Sequence, residues 1–198
     1  MPSGRSAEAG EVFVWDRFVR VFHWSTVALV ATAFIFDNRW LHETAGLIVL
    51  PLVALRILWG FVGPAHARFA DFLARPAAIL AYLRAVHAGH APRFLGHNPA
   101  GGAMVAVLLT LLPVVAGSGW MSETDRWFGV PWVSHLHAIS AHLLQLLVGL
   151  HVAGVIVSSV LHRENLVRAM VTGRKPALLA DQFQDEGGPA PRPRLYPR

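Results

Sequence analysis

Four runs of apolar residues, Val19 to Phe36, His42 to Val62, Ala103 to Met121 and Val133 to Leu161, constrain this 198-residue chain more than any other feature of it. Each reaches the roughly 20 helical residues that a hydrocarbon core requires. In that medium every backbone N–H and C=O must be satisfied within its own segment, so such runs fold as helices. Apart from edge positions such as Glu43, the formal charge within them is Arg56. The expected fold class is an all-α membrane protein, a bundle of four transmembrane helices. The first run does not read as a signal peptide, because three comparable runs follow and no small-residue cleavage site comes after it. The fourth exceeds what a bilayer needs and is expected to tilt or project.

Composition narrows the function classes. The chain is 54% hydrophobic and 15% charged, with a mean hydropathy of +0.45, whereas soluble domains are about a quarter charged. That argues against a soluble enzyme. The net charge of +5 resides in tails and connectors, which suits anionic membrane lipid as a partner and not nucleic acid. There is no cysteine, which removes disulfides, thiolate-ligated clusters, thiol catalysis and covalent haem attachment. Eleven histidines remain as the metal-capable side chains, and imidazole suits iron, zinc or copper.

Orientation follows from the connectors. Arg5, Arg17 and Arg20 lie before or at the very start of the first span. Arg68, Arg75, Arg84 and Arg93 lie between spans two and three. Arg163, Arg168, Arg174, Lys175, Arg192, Arg194 and Arg198 follow the fourth. The other two connectors hold Arg39 and Arg126, so fourteen basic residues face two, and both termini are expected in the cytoplasm. Trp15, Trp40, Trp59, Trp120, Trp127 and Trp132 fall near span ends, as interfacial aromatics do. Residues 76–88 open on Pro76 and place Ile79, Leu80, Leu83 and Val86 on one face, the pattern of a short amphipathic helix on the inner membrane surface. Residues 1–176 are expected to form one domain, and residues 177–198, rich in Gly and Pro, a disordered tail.

A histidine inside a span is a functional hypothesis by default. His137 and His151 are fourteen residues apart, so they return to nearly the same face of the fourth helix about 21 Å apart along it. His135 and His142 also share a face but are separated by only about 10 Å, and they read as polar interface or helix-contact residues. Depth supplies the partners: His42 lies at the outer end of span two, level with His137, and His23 near the inner end of span one, level with His151. Each pair can provide two axial imidazoles to a b-type haem in the bundle core. A catalytic zinc site would need three clustered ligands, and no H-E-x-x-H motif is present. Arg56, fourteen residues after His42, lies on the cofactor-facing side of its helix, where its partner is expected to be either a propionate of the inner haem or a backbone or water contact.

Several segments together resemble a known family. They are Phe22-His23-Trp24, Leu41-His42-Glu43, Leu55-Arg56-Ile57-Leu58-Trp59-Gly60-Phe61-Val62-Gly63, His66-Ala67-Arg68-Phe69-Ala70-Asp71-Phe72, Leu95-Gly96-His97-Asn98-Pro99-Ala100-Gly101-Gly102, His162-Arg163-Glu164-Asn165-Leu166-Val167 and Thr172-Gly173-Arg174-Lys175. In order and spacing, over roughly residues 12–176, they are similar to the bacterial cytochrome b561 superfamily, and most to its nickel-iron-hydrogenase cytochrome b branch. The resemblance implies a dihaem electron carrier of the bacterial inner membrane with two haem b groups. Their ligands would be His23, His42, His137 and His151. Such a carrier works between the quinone pool and a redox protein partner, hydrogenase-like or a c-type cytochrome.

On this reading the chain is a respiratory electron-transfer cytochrome with no catalytic residues of its own. The competing enzymatic reading is a superoxide:ubiquinone oxidoreductase. It would want a cationic outer funnel, whereas Asp37, Glu123 and Asp125 accompany Arg39 and Arg126 there. A proton-relaying transporter would want buried acids, and no Asp or Glu lies at a span centre. His97, in the Gly-His-Asn-Pro turn before span three, is a candidate neighbour of an inner quinone site.

Overall fold

A computed structural model describes residues 10–177. All of the tail expected to be disordered, apart from Ala177, lies outside the described residues. Nine elements follow in order: β1 (Glu11–Phe13), α1 (Arg17–Ile35), α2 (Arg39–Val62), α3 (Phe69–Phe72), α4 (Pro76–His87), α5 (Pro99–Ser122), α6 (Pro131–His162), α7 (Leu166–Thr172) and β2 (Arg174–Pro176). Helices α1, α2, α5 and α6 are long and apolar enough to cross a membrane, and the chain is a multi-pass membrane protein.

The helix starts are set by local chemistry. Asp16 accepts from the Val19 N–H at 3.0 Å, Asn38 from Leu41 at 3.0 Å and Asn98 from Gly101 at 2.7 Å, each satisfying an amide that a helix N-terminus leaves unpaired. Pro76, Pro99 and Pro131 occupy first-turn positions, where the missing N–H costs nothing. These caps explain why α2 and α5 start three and four residues before the apolar runs predict.

Helix α1 packs on α2, α2 on α5 and α5 on α6, whereas neither α1 nor α2 packs extensively on α6. The main core is Val49 and Val53 of α2, Leu109, Leu112 and Ala116 of α5, and Leu144 of α6, with Phe22 and Leu29 of α1 against it. The buried serines Ser118 and Ser140 donate to carbonyls of their own helices, Val114 at 2.7 Å and Leu136 at 2.6 Å, so neither carries an unpaired hydroxyl. Outward positions are apolar, with Ile35, Val62 and Val160 about three-quarters exposed, as a lipid-facing surface requires. Trp40, Phe128 and Trp132 are exposed near one end of the bundle.

The other end gathers both ends of the described chain. β1 and β2 pair antiparallel, with Val12 opposite Lys175. Gly173 closes α7 at a φ of 82° and accepts from the Val14 and Trp15 amides at 2.8 and 3.1 Å. A Cβ there would meet the Trp15 carbonyl oxygen at 2.7 Å, so glycine is required both by backbone conformation and by contact. Val14, Trp15, Val19, Ala67 and Ala169 form a second core beneath this clasp. Glu164 pairs with Arg93 and, at 3.5 Å, with Lys175, all three side chains being largely buried. α4 lies against α5. Tyr82 turns into the protein, and Leu80 and Leu83 remain exposed.

Candidate functional site

The five residues singled out in the sequence occupy two levels of the bundle. At the end away from the clasp, His42 of α2 faces His137 of α6 with ring centres 5.9 Å apart. Nearer the clasp, His23 of α1 faces His151 of α6 with ring centres 6.3 Å apart. On α6 the two levels are about 21 Å apart along the axis. These imidazole pairs bridge the edge at which α1 and α2 fail to pack extensively on α6.

The spacing tests what the pairs could hold. An imidazole nitrogen stands about 2.0–2.1 Å from a first-row metal, and the ring centre lies about 1.2 Å behind it, so two rings on opposite sides of one metal place their centres about 6.4 Å apart. Both pairs meet that figure to within about 0.5 Å. Among the described residues no three His, Cys, Asp or Glu side chains cluster to hold an ion. A bare ion would therefore find two donors at each level, while a macrocycle brings its own equatorial nitrogens. The donor set suits a haem.

At the His42–His137 level each Nδ1 lies 2.9 Å from a backbone carbonyl, Ala33 for His42 and Val115 for His137. A carbonyl oxygen can only accept, so Nδ1 carries the proton and Nε2 keeps its lone pair for a metal. Such outer bonds also fix ring orientation. The pair lines a cavity of about 840 Å³, within the range of cofactor sites. Its walls include Leu29, Val30, Gly46, Val49, Leu112 and Leu144. At its mouth Arg39 bridges Glu43 and Glu123, joining the start of α2 to the end of α5. Sequence reasoning missed Gly119, although the Gly117-Ser118-Gly119 run inside an apolar span is a close-approach signal. A Cβ at Gly119 would meet the His137 ring at 2.9 Å.

At the His23–His151 level Arg56 is buried, as its position on α2 predicts. Its Nη2 donates to the Ala67 carbonyl at 3.1 Å and its guanidinium carbon lies 5.7 Å from the Phe69 ring centre. Nη1 is buried and has no partner. Gly60, one turn after Arg56, lets the Phe69 ring approach: a Cβ there would come within 2.2 Å of it. Arg20, counted in the sequence only for orientation, donates from Nη1 to the Val171 carbonyl at 2.6 Å. His97 is held between Trp15 and Phe72, each 4.7 Å away by ring centres. Burial, then the charges of Arg56 and Lys175, push its imidazole down to about 3, so the ring is neutral.

His135 and His142 are exposed on the opposite side of α6. They do not form the helix contact anticipated for them. The Nδ1 of His142 instead turns back to the Ala138 carbonyl at 2.8 Å, an i to i−4 bond within α6.

Facing imidazoles inside a four-helix membrane bundle define a membrane b-type cytochrome. The comparison with known families agrees: the model of the prokaryotic cytochrome b561 family matches residues 14–173. The chain belongs to that family and is a membrane haem b protein of electron transfer. Two curated relatives are similar over most of their length, both named probable Ni/Fe-hydrogenase B-type cytochrome subunit. The one from Rhizobium leguminosarum bv. viciae is 20% identical, over 86% of this chain and 91% of its own. The one from Bradyrhizobium diazoefficiens is 22% identical, over 88% and 87%. No solved structure gives a significant match.

Proposed function

We propose that this chain is a dihaem cytochrome b of a respiratory chain, passing electrons across the bacterial inner membrane between the quinone pool and a redox protein partner. One haem b is held by His42 and His137, the other by His23 and His151, with Arg56 facing a carboxylate of the second. The observation that carries the reading is the double coincidence of facing imidazoles, 5.9 and 6.3 Å between ring centres at two levels of one bundle.

When bound, haem supplies the one-electron chemistry. The chain does the rest. Histidine ligation would set the potentials, with His42 and His137 holding the first haem in a cavity whose inner walls are apolar. Two haems at levels about 21 Å apart subdivide a crossing that no charged side chain could make. The bias of Lys and Arg toward the clasp end supports a cytoplasmic clasp, which leaves His42 and His137 on the far side.

The names of the two relatives favour a hydrogenase-like partner, with a c-type cytochrome as the other candidate. A superoxide-oxidising enzyme is less well supported, because Asp37, Glu43 and Glu123 line the far mouth with Arg39 and a superoxide anion would be repelled there. Absorbance of the purified protein is the test. A reducible b-type spectrum with two haems per chain is expected, and a colourless protein would remove the proposal.

A further inference from the structure

Buried donors without partners are costly and in native proteins rare. Three such atoms, without a partner among the described residues, belong to residues at or beside the His23–His151 pair: His23 Nδ1 itself, Arg56 Nη1 and His97 Nδ1. Together they point to a partner that the described polypeptide does not supply.

Two of these atoms define its chemistry. A guanidinium is a permanent cation and only donates, so the group that meets Arg56 Nη1 is an acceptor and carries negative charge. Arg56 already spends Nη2 on Ala67 and rests against Phe69, which fixes the direction left to Nη1. His97 cannot swing away, being wedged between Trp15 and Phe72. Phe72, which packs on His97, also packs on Phe69, the ring against which Arg56 rests, and the charges of Arg56 and His151 act on His97.

Among the described residues, the acids Asp16 and Glu164 are committed elsewhere. Asp16, whose charge acts on Arg56, accepts from the Val19 amide at 3.0 Å and the Trp59 indole at 3.3 Å. Glu164 is engaged by Arg93 and Lys175.

We propose that Arg56 Nη1 and His97 Nδ1 together bind one carboxylate of the porphyrin held between His23 and His151. The inference rests on the dihaem reading and adds His97 to the cofactor site. It gives His97 the role of a carboxylate donor in place of a quinone neighbour. A free carboxylate or phosphate from solution or lipid has the same chemistry and is the alternative source.

The test compares haem b with its dimethyl ester, which lacks both carboxylates. Full-length protein made in haem-limited cells is loaded with each, and haem stoichiometry and affinity are read by absorbance titration. For the wild type, one of the two sites should hold the ester about tenfold more weakly than haem b, the scale of an outer-partner effect. In His97→Gln and Arg56→Gln this penalty should shrink, and in the double variant vanish. The second site reports that each variant is folded.

Equal binding of ester and haem b by the wild type would overturn the proposal and assign the anion to another source, a result that needs no variant to fold. An undiminished ester penalty in the double variant would also overturn it. A wild type that takes up no haem would sink the dihaem reading as well. Two haems with no ester effect would sink this inference alone.

Discussion

The Nδ1–H of His137 donates to the carbonyl oxygen of Val115 at 2.9 Å, an acceptor on the neighbouring helix α5. The bond holds one tautomer, and the ring is seated against Gly119, one turn further along α5, where a Cβ would fall 2.9 Å from Cε1 and 3.0 Å from Nδ1. Gly119→Ala should turn the imidazole out of line and weaken haem binding at the His42–His137 level by about 10- to 100-fold, leaving the other level intact. Haem affinity by absorbance titration checks this, and a variant that keeps both haems at wild-type affinity would refute it.

The two levels should come apart separately. Because His23 pairs with His151 and His42 with His137, His42→Ala and His137→Ala should each reduce two haems per chain to one, and should remove the same spectral component. His23→Ala and His151→Ala should remove the other. Loss of both haems from all four variants alike would contradict independent tiers.

The clasp depends on a buried acid. Glu164 lies between Arg93 and Lys175, with side-chain exposures of 7%, 15% and 5%. Removing the charge in Glu164→Gln leaves two cations underneutralised in a protected place, and breaking such a pair costs about 3–5 kcal/mol. A clear fall in unfolding temperature is expected in detergent solution. A change below about 1 kcal/mol would mean the cations rely on other partners.

Alkaline pH should loosen α4. Burial pushes the Tyr82 phenol above its ordinary value, partly offset by the Ser158 hydroxyl. Folded protein then keeps a proton that unfolded chain releases, so stability from this group is whole below about pH 10 and is lost as the pH rises through the folded value. Hydrogen exchange over α4, beyond its intrinsic base-catalysed rise, should accelerate above about pH 10, and Tyr82→Phe should flatten that acceleration. An identical pH profile in the variant would rule the phenol out as the cause.

The spans and the imidazole pairs were legible in the sequence because both are periodic. A long apolar run has one stable form in lipid, and a fourteen-residue interval has one reading on a helix. Arg56 followed from the same arithmetic. The features that escaped have no period. β1 and β2 are three residues each, too short to register against their surroundings, and their pairing spans most of the chain. Arg20 and Thr26 of α1 each bury a polar atom without a partner among the described residues, an arrangement that exists only after packing. An i to i−4 bond to Ala138 engages the Nδ1 of His142 within its own helix, a local solution that periodicity does not reveal.

The order of packing, α1 on α2, α2 on α5 and α5 on α6, resembles a folding screen whose last panel is never hinged to the first. Iron and porphyrin would act as the latch. A cell short of porphyrin would then carry this polypeptide ajar in its membrane, with the apolar lining of the gap open to sideways entry by lipid tails.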